Sequence, residues 1–330
     1  MYNQFFQRYK EALAEFQESE SGQVIPIDQS ARYLVALDLG SNSFHLIIAQ
    51  EDQGRLQILD RHKETVRLAE GLTKNKNLTK TVTDRALQCL SRFAQRFERI
   101  EVENIRVVGT STFRHASNSK SFLDQAAKIL GEPIEVISGR EEARLIYLGV
   151  RNSIEDAKRP CLVVDIGGGS TEIIFAENSK PKVLQSLPIG CVALSHNFFA
   201  DGSVLKKQMD RAINQALMAI ETTKSQFLGH QWEVCIGASG TVTATSKVAK
   251  TLNLLEINLS TLNQIKEKLF HSSAQNGQFY LPSISADRKF VFPGGLAILI
   301  AFFEAFEIDK MVVTDGALRE GLLHDLIGRS

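Results

Sequence analysis

One turn occurs twice in this chain. DLGSNS (38–43) and DIGGGS (165–170) each close an apolar run and lead into a second one. With Asp38 set on Asp165, Gly40 falls on Gly167, Ser43 on Ser170, and Leu46-Ile47-Ile48 on Ile173-Ile174-Phe175. A repeat of this kind means one supersecondary unit built twice. At 330 residues the chain has room for both copies as domains. Each copy begins with three strand-like segments: YLVALDLG, FHLIIAQ and GRLQILDRHK, then CLVVDI, TEIIFAE and KPKVLQSLPIG. Alternating helix and strand patterns follow. Hairpin strands followed by α–β alternation predict a mixed sheet covered by helices, and two such units would face each other across a cleft.

The periodicity predicts helices over 80–99, 119–130 with Ser119 as N-cap, 139–150, 191–199, 204–228, 241–250, 260–270, 294–306 and 317–327. WEVCIGASGTV (232–242) reads as a strand running into a glycine turn, and KMVVTDG as a short strand. Ahead of the first unit, Phe5, Phe6, Tyr9, Leu13 and Phe16 place apolar residues at helical spacing over 1–20. The expected division is a helix and connector over 1–32, a first domain over 33–151, and a second over 152–330 whose last helix packs back on the first.

Totals narrow the function. Lys+Arg and Asp+Glu both number 38, so no overall basic charge points to DNA or RNA. No apolar run reaches the roughly 18 residues of a membrane span. The first residues carry charges and no signal-peptide core. Cys89, Cys161, Cys191 and Cys235 lie far apart without a CxxC pair, which predicts buried free thiols in a reducing cytoplasm.

The chemistry gathers at the turns. Glycine permits positive φ and close approach of a ligand, successive amides cradle anions, and Ser and Thr add hydroxyl donors. One glycine turn alone is ordinary hairpin geometry. Two related copies and GASGT (237–241) together point to phosphate binding. There is no GxxxxGK[ST], no GxGxxG with its acidic partner, and no GxSxG elbow. Asp165 ends an apolar strand, where a carboxylate either caps its own turn or serves a ligand. Glu172 begins the returning strand, so the turn can bring both to one point, and such hard oxygen ligands suit Mg²⁺ completed by phosphate oxygens.

The segments LDLGSNSFHLII, VRLAEGL, ISGREEARLIYLGV, VVDIGGGSTEII, VCIGASGTV, VFPGGLAILI and DGALREGLL run in the order of the exopolyphosphatase / guanosine pentaphosphate phosphatase family, which the chain resembles over about 33–327. That family belongs to the actin–sugar kinase–Hsp70 superfamily. The resemblance implies an α/β fold of two tandem actin-like (ribonuclease H-like) domains. Each would hold a mixed five-stranded sheet flanked by helices, with the active site in the interdomain cleft. It implies Mg²⁺- or other divalent-cation-dependent release of the terminal phosphate from inorganic polyphosphate or pppGpp.

The family's base falls on Glu142, the second Glu of EEAR. An unplaced Glu there would otherwise pair with Arg140 or Arg144 on the helix surface. The first phosphate loop falls on Gly40, Ser41, Asn42 and Ser43. The second falls on Gly167, Gly168, Gly169, Ser170 and Thr171, and the third on Gly237, Ser239, Gly240 and Thr241. Arg114 matches a basic residue of the substrate cleft. Asp165 and Glu172 match metal-linked and phosphate-site carboxylates, with Asp38 a further candidate ligand.

His45 reads as packing. Arg319, Asp315 and Glu320 stay outside the catalytic set. The sequence ends at Ser330, before the C-terminal helical domains of long members, and this argues against processive digestion of long chains. The resemblance allows a homodimer and predicts neither DNA nor membrane partners. The competing readings are an ATPase or sugar kinase of the superfamily and a non-catalytic polyphosphate or (p)ppGpp sensor.

Overall fold

The computed structural model describes residues 32–100 and 104–328; the helix expected over 1–20 lies outside them. The first sheet holds β1 (Arg32–Leu39), β2 (Phe44–Asp52), β3 (Arg55–Glu64), β4 (Ile105–Gly109) and β5 (Glu135–Val136). Helices α1 (Lys80–Phe97), α2 (Ser111–His115) and α3 (Ser119–Leu130) fall between its later strands, and α4 (Gly139–Ser153) leaves it. The second sheet holds β6 (Cys161–Ile166), β7 (Thr171–Glu177), β8 (Lys180–Leu187), β9 (Val234–Ala238) and β10 (Met311–Val313). Its helices are α5 (Cys191–Phe198), α6 (Lys206–Lys224), α7 (Ser239–Thr251), α8 (Leu259–Asn276), α9 (Ala286–Lys289), α10 (Phe292–Ala305) and α11 (Leu318–Gly328).

The two sheets have one topology, β3-β2-β1-β4-β5 and β8-β7-β6-β9-β10. In each, the first three strands pair antiparallel and the last two add in parallel. The repeat extends to an irregularity. A bulge interrupts β2–β3 at Ile48/Ala49, and its counterpart interrupts β7–β8 at Phe175/Ala176. A bulge bends its strand and increases twist, so both sheets curve at the same place. β1 and β6 are paired on both edges and covered on both faces, which is why they read as continuous apolar runs.

Helices α4 and α11 lie together between the sheets. Leu145, Ile146, Leu322 and Leu323 share one buried cluster with Leu34 and Ile47 of the first sheet and Val163 and Ile174 of the second. The pair crosses at glycines. A Cβ on Gly149 would overlap the Ala317 carbonyl, and one on Gly321 would overlap that of Leu145. Arg106 of β4, buried, ties this arrangement down through Glu135 at 2.9 Å and Asp325 of α11 at 2.6 Å. The second core surrounds α10, which is apolar on every face and therefore buried along its length. All four cysteines are buried free thiols, and no helix among the described residues is long and apolar enough to cross a membrane.

Two local expectations change. The N-cap of α3 is Asn118, not Ser119, and its side chain makes no cap bond. Instead its amide exchanges two hydrogen bonds with the Leu78 backbone, at 2.8 and 3.0 Å, and pins a loop. The third glycine turn is absent as a turn: β9 runs to Ala238 and α7 begins at Ser239.

Candidate active site

The turns after β1 and β6 meet in a cleft of about 380 Å³. Each is closed by one backbone bond, Gly40 N to Ser43 O at 3.2 Å and Gly167 N to Ser170 O at 2.9 Å. None of these glycines adopts positive φ. The need for glycine is close approach: a Cβ on Gly168 would stand 3.1 Å from Asn42 N, and one on Gly169 would stand 2.8 Å from the hydroxyls of Ser41 and Ser111. The second loop is glycine-rich because the first loop and the start of α2 press against it. Thr112 Oγ1 donates to Ser41 Oγ at 2.7 Å and braces the first loop from behind.

The third element contributes the first turn of α7. Ser239 holds φ of 80°, a left-handed conformation that costs about 1–3 kcal/mol in a non-glycine residue. Its hydroxyl donates to Ile166 O at 3.0 Å, fixing the start of the helix against the end of β6. Ser239 and Gly240 line the cleft, with the positive end of the α7 dipole beneath them.

Three predicted ligand residues face away from the cleft. Gly237 lies inside β9, where Met311 and Val242 leave no space for a side chain. Thr171 donates to Ile189 O at 2.7 Å, and Thr241 to Ile166 O at 3.3 Å; both are buried. Arg114 also does not line the cavity. Its Nη1 donates to Glu142 at 2.7 Å and to Ile137 O at 3.0 Å. Gly40, Ser41, Asn42, Ser43, Gly167, Gly168, Gly169 and Ser170 all line it, as do Asp38, Glu142, Asp165 and Glu172.

The floor of the cleft is acidic. Asp165 and Glu172 are register partners across β6 and β7. Burial, then repulsion from Glu142, pushes the Asp165 carboxyl up to about 7. Burial and the neighbouring charges of Glu142 and Asp165 hold Glu172 far above its usual range, although Ser186 donates to it at 2.7 Å. Burial together with Glu142 raises Asp38 to about 8, and its Oδ1 is buried without a partner among the described residues. Burial also raises Glu142, against the opposing pull of Arg114.

The neighbouring Glu141 is bound instead to Arg144, at 2.7 and 2.8 Å, on a half-buried face. Cations stand around the floor: Lys63 of β3, Lys247 of α7, Arg288 of α9 and Arg319 of α11. Lys63 reaches Asp287 at 2.6 Å, and the Arg288 guanidinium lies directly on Gly240. Sequence reasoning missed Lys63, Lys247 and Arg288 and set Arg319 aside. Glu320 anchors its helix, accepting from Ala317 N at 3.0 Å and pairing with Arg61 at 2.7 Å.

Mutually repelling carboxylates around an orphaned Asp38 oxygen fit a divalent cation with a preference for hard oxygen ligands. Among the described residues no three His, Cys, Asp or Glu groups form a ready-made metal cage. Oxygens of a bound ligand would therefore complete the shell. Basic groups outside and acidic groups within suit a polyanion brought in end first.

The family model described as Ppx/GppA phosphatase family matches residues 47–330. A protein of Vibrio parahaemolyticus named guanosine-5'-triphosphate,3'-diphosphate pyrophosphatase is 42% identical over 299 residues, 90% of this chain and 60% of that one. Its namesake in Vibrio campbellii is 41% identical with the same coverage. The chain thus spans 60% of the length of these relatives. The Aquifex aeolicus member of the Ppx/GppA family superposes with a TM-score of 0.72 at 25% identity, covering 91% of this chain and 98% of that one. An exopolyphosphatase of Cytophaga hutchinsonii shares the fold with a TM-score of 0.79 at 24% identity, covering 90% and 98%.

Proposed function

The chain belongs to the Ppx/GppA phosphatase family, and from that premise we propose that it releases the terminal phosphate of a phosphoanhydride chain by attack of water. The observation that carries this reading is Glu142: a buried carboxylate at the junction of two facing phosphate loops, with Arg114 as its counter-charge. Of the two substrates expected, pppGpp comes first, because the Vibrio relatives bear that name. Inorganic polyphosphate comes second.

Glu142 orients the attacking water and takes its proton, a contribution of about 10²–10⁴ in rate. The loop amides and the hydroxyls of Ser41, Ser43 and Ser170 hold the terminal phosphoryl group in line with the water. Positioning and charge stabilisation supply most of the remaining acceleration in such reactions. Asp165 and Glu172, with Asp38, would hold Mg²⁺ or another divalent cation, which when bound neutralises charge on the phosphate oxygens. Lys63, Lys247 and Arg288 attract the rest of the polyanion.

The test is phosphate release under Mg²⁺ from pppGpp, short polyphosphate, long polyphosphate and ATP. Wild type is compared with Glu142→Gln and Glu141→Gln. Release from pppGpp or polyphosphate, abolished in Glu142→Gln and kept in Glu141→Gln, is the expected outcome. Near-normal turnover by a folded Glu142→Gln protein refutes the assignment. Binding without release by wild type replaces it with a sensor.

A further inference from the structure

We propose that His45 is a substrate-contacting residue, whose imidazole donates from Nε2 to a phosphoryl oxygen, and that Arg319 is the residue that sets that tautomer. This rests on the phosphohydrolase reading and adds to it a contact that the sequence assigned to packing. His45 Nδ1 lies 3.1 Å from Arg319 Nη1. A guanidinium has donors only, so Nδ1 is the acceptor and carries no proton. The ring's proton is then on Nε2, at its other edge. His45 lines the cleft, and its Nε2 makes no hydrogen bond with the described residues.

The surroundings keep the ring neutral. Lys63 is its register partner on β3, Asp38 its partner on β1, Arg319 faces it from α11 and Arg288 from α9. Burial, then the charges of Arg319, Lys63 and Arg288, hold the imidazole well below its usual range. With Nδ1 facing Arg319, the ring presents its N–H donor on Nε2 beside a cation, a combination that suits a phosphate oxygen.

The repeat adds a second argument. His45 pairs with Asp38 as Glu172 pairs with Asp165. The two residues occupy one position in the duplicated unit. The second lobe places a carboxyl there and the first an imidazole, and both line the cleft.

Two amide isosteres separate the edges of the ring. In His45→Asn the amide reaches only the Nδ1 position and preserves an acceptor for Arg319. In His45→Gln it reaches the Nε2 position and preserves a donor into the cleft. His45→Gln is expected to keep kcat/KM for pppGpp or polyphosphate within about 10-fold of wild type. His45→Asn is expected to lose about 10- to 100-fold or more, the range for a hydrogen bond to a charged group, with an unchanged melting temperature. Equal activity in the two variants overturns the proposal.

A second measurement does not depend on turnover. Nitrogen-15 NMR of the imidazole, identified by its loss in His45→Gln, should show a protonated Nε2 and a bare Nδ1 between about pH 6 and 8. Inorganic phosphate should then shift the Nε2 resonance. A protonated Nδ1, or no response to phosphate, overturns the proposal. Response to phosphate in a protein that hydrolyses none of the substrates supports the contact and rejects the phosphohydrolase reading.

Discussion

Asp38→Asn should stabilise the ligand-free protein and inactivate it. In the folded chain the Asp38 carboxyl is raised from its ordinary 3.8 to about 8 by burial and by Glu142, and its Oδ1 has no partner among the described residues. A carboxyl whose folded value lies above its unfolded value favours folding fully below the unfolded value. That contribution is lost as pH rises through the folded value. Here the window runs from about 4 to about 8. Each pH unit is worth about 1.4 kcal/mol and pH 7 lies about three units above 3.8, so Asp38 alone costs folding about 4 kcal/mol at neutral pH.

Asparagine carries no such penalty. The stability difference between variant and wild type should be near zero at pH 4 and grow to as much as about 4 kcal/mol at pH 7. Chemical denaturation in chelator and phosphate-free buffer, at pH 4, 5.5, 7 and 8, measures this directly. The gain should come with loss of phosphate release, because the orphaned oxygen is kept for a ligand and not for folding. Equal pH slopes in the two proteins, or a variant less stable than wild type at pH 7, refute the reasoning.

Arg114→Gln removes the guanidinium that is bonded to Glu142. Burial then acts unopposed, the Glu142 carboxyl rises further, and the base is protonated over more of the neutral range. The acid limb of the kcat/KM profile should move to higher pH, with Arg114→Lys between the two. A raised KM with an unmoved limb would mean that Arg114 binds substrate instead. Gly321→Ala places a methyl on the Leu145 carbonyl oxygen, where two backbones meet and no side chain can yield. Against a helix-propensity gain of about 1 kcal/mol, the overlap should leave a net loss of about 2 kcal/mol or more, read as a lowered melting temperature. An unchanged melting temperature would show that the helices are free to separate.

The duplicated unit made the fold legible. Asp38 on Asp165 foretells two sheets of one topology, and even the bulges at Ile48 and Phe175 obey the alignment. The facing loops were legible because glycine and serine signatures are local. What escaped was whatever the tertiary arrangement brings from outside those signatures. Lys63 sits on an alternating strand, Arg288 on a four-residue helix and Arg319 on the last helix, and nothing beside them in sequence marks a cleft. Gly237 misled because a glycine packed inside a strand looks like a glycine in a turn. His45 was within reach, since the alignment that located Glu172 places His45 at the same point of the first copy.

The divergence of the copies shows how a near-symmetric scaffold could serve the proposed, asymmetric reaction. Both lobes offer a glycine–serine loop, so both can hold oxygens of one phosphoryl group. The residue proposed as the base belongs to neither loop. Glu142 stands near the start of α4, which leaves the first sheet and packs on β7 and β8 of the second. Arg114 of the first lobe grips its carboxylate, while Gly139 at the head of the same helix fits against Ser186, the residue that donates to Glu172. Glu142 is thus held from both sides of the seam, and its position relative to the two loops is set by how the two lobes meet. If Glu142 is the base, the seam that sets the two loops face to face also sets where its carboxylate stands, so polyanion binding and cleavage would be parts of one arrangement.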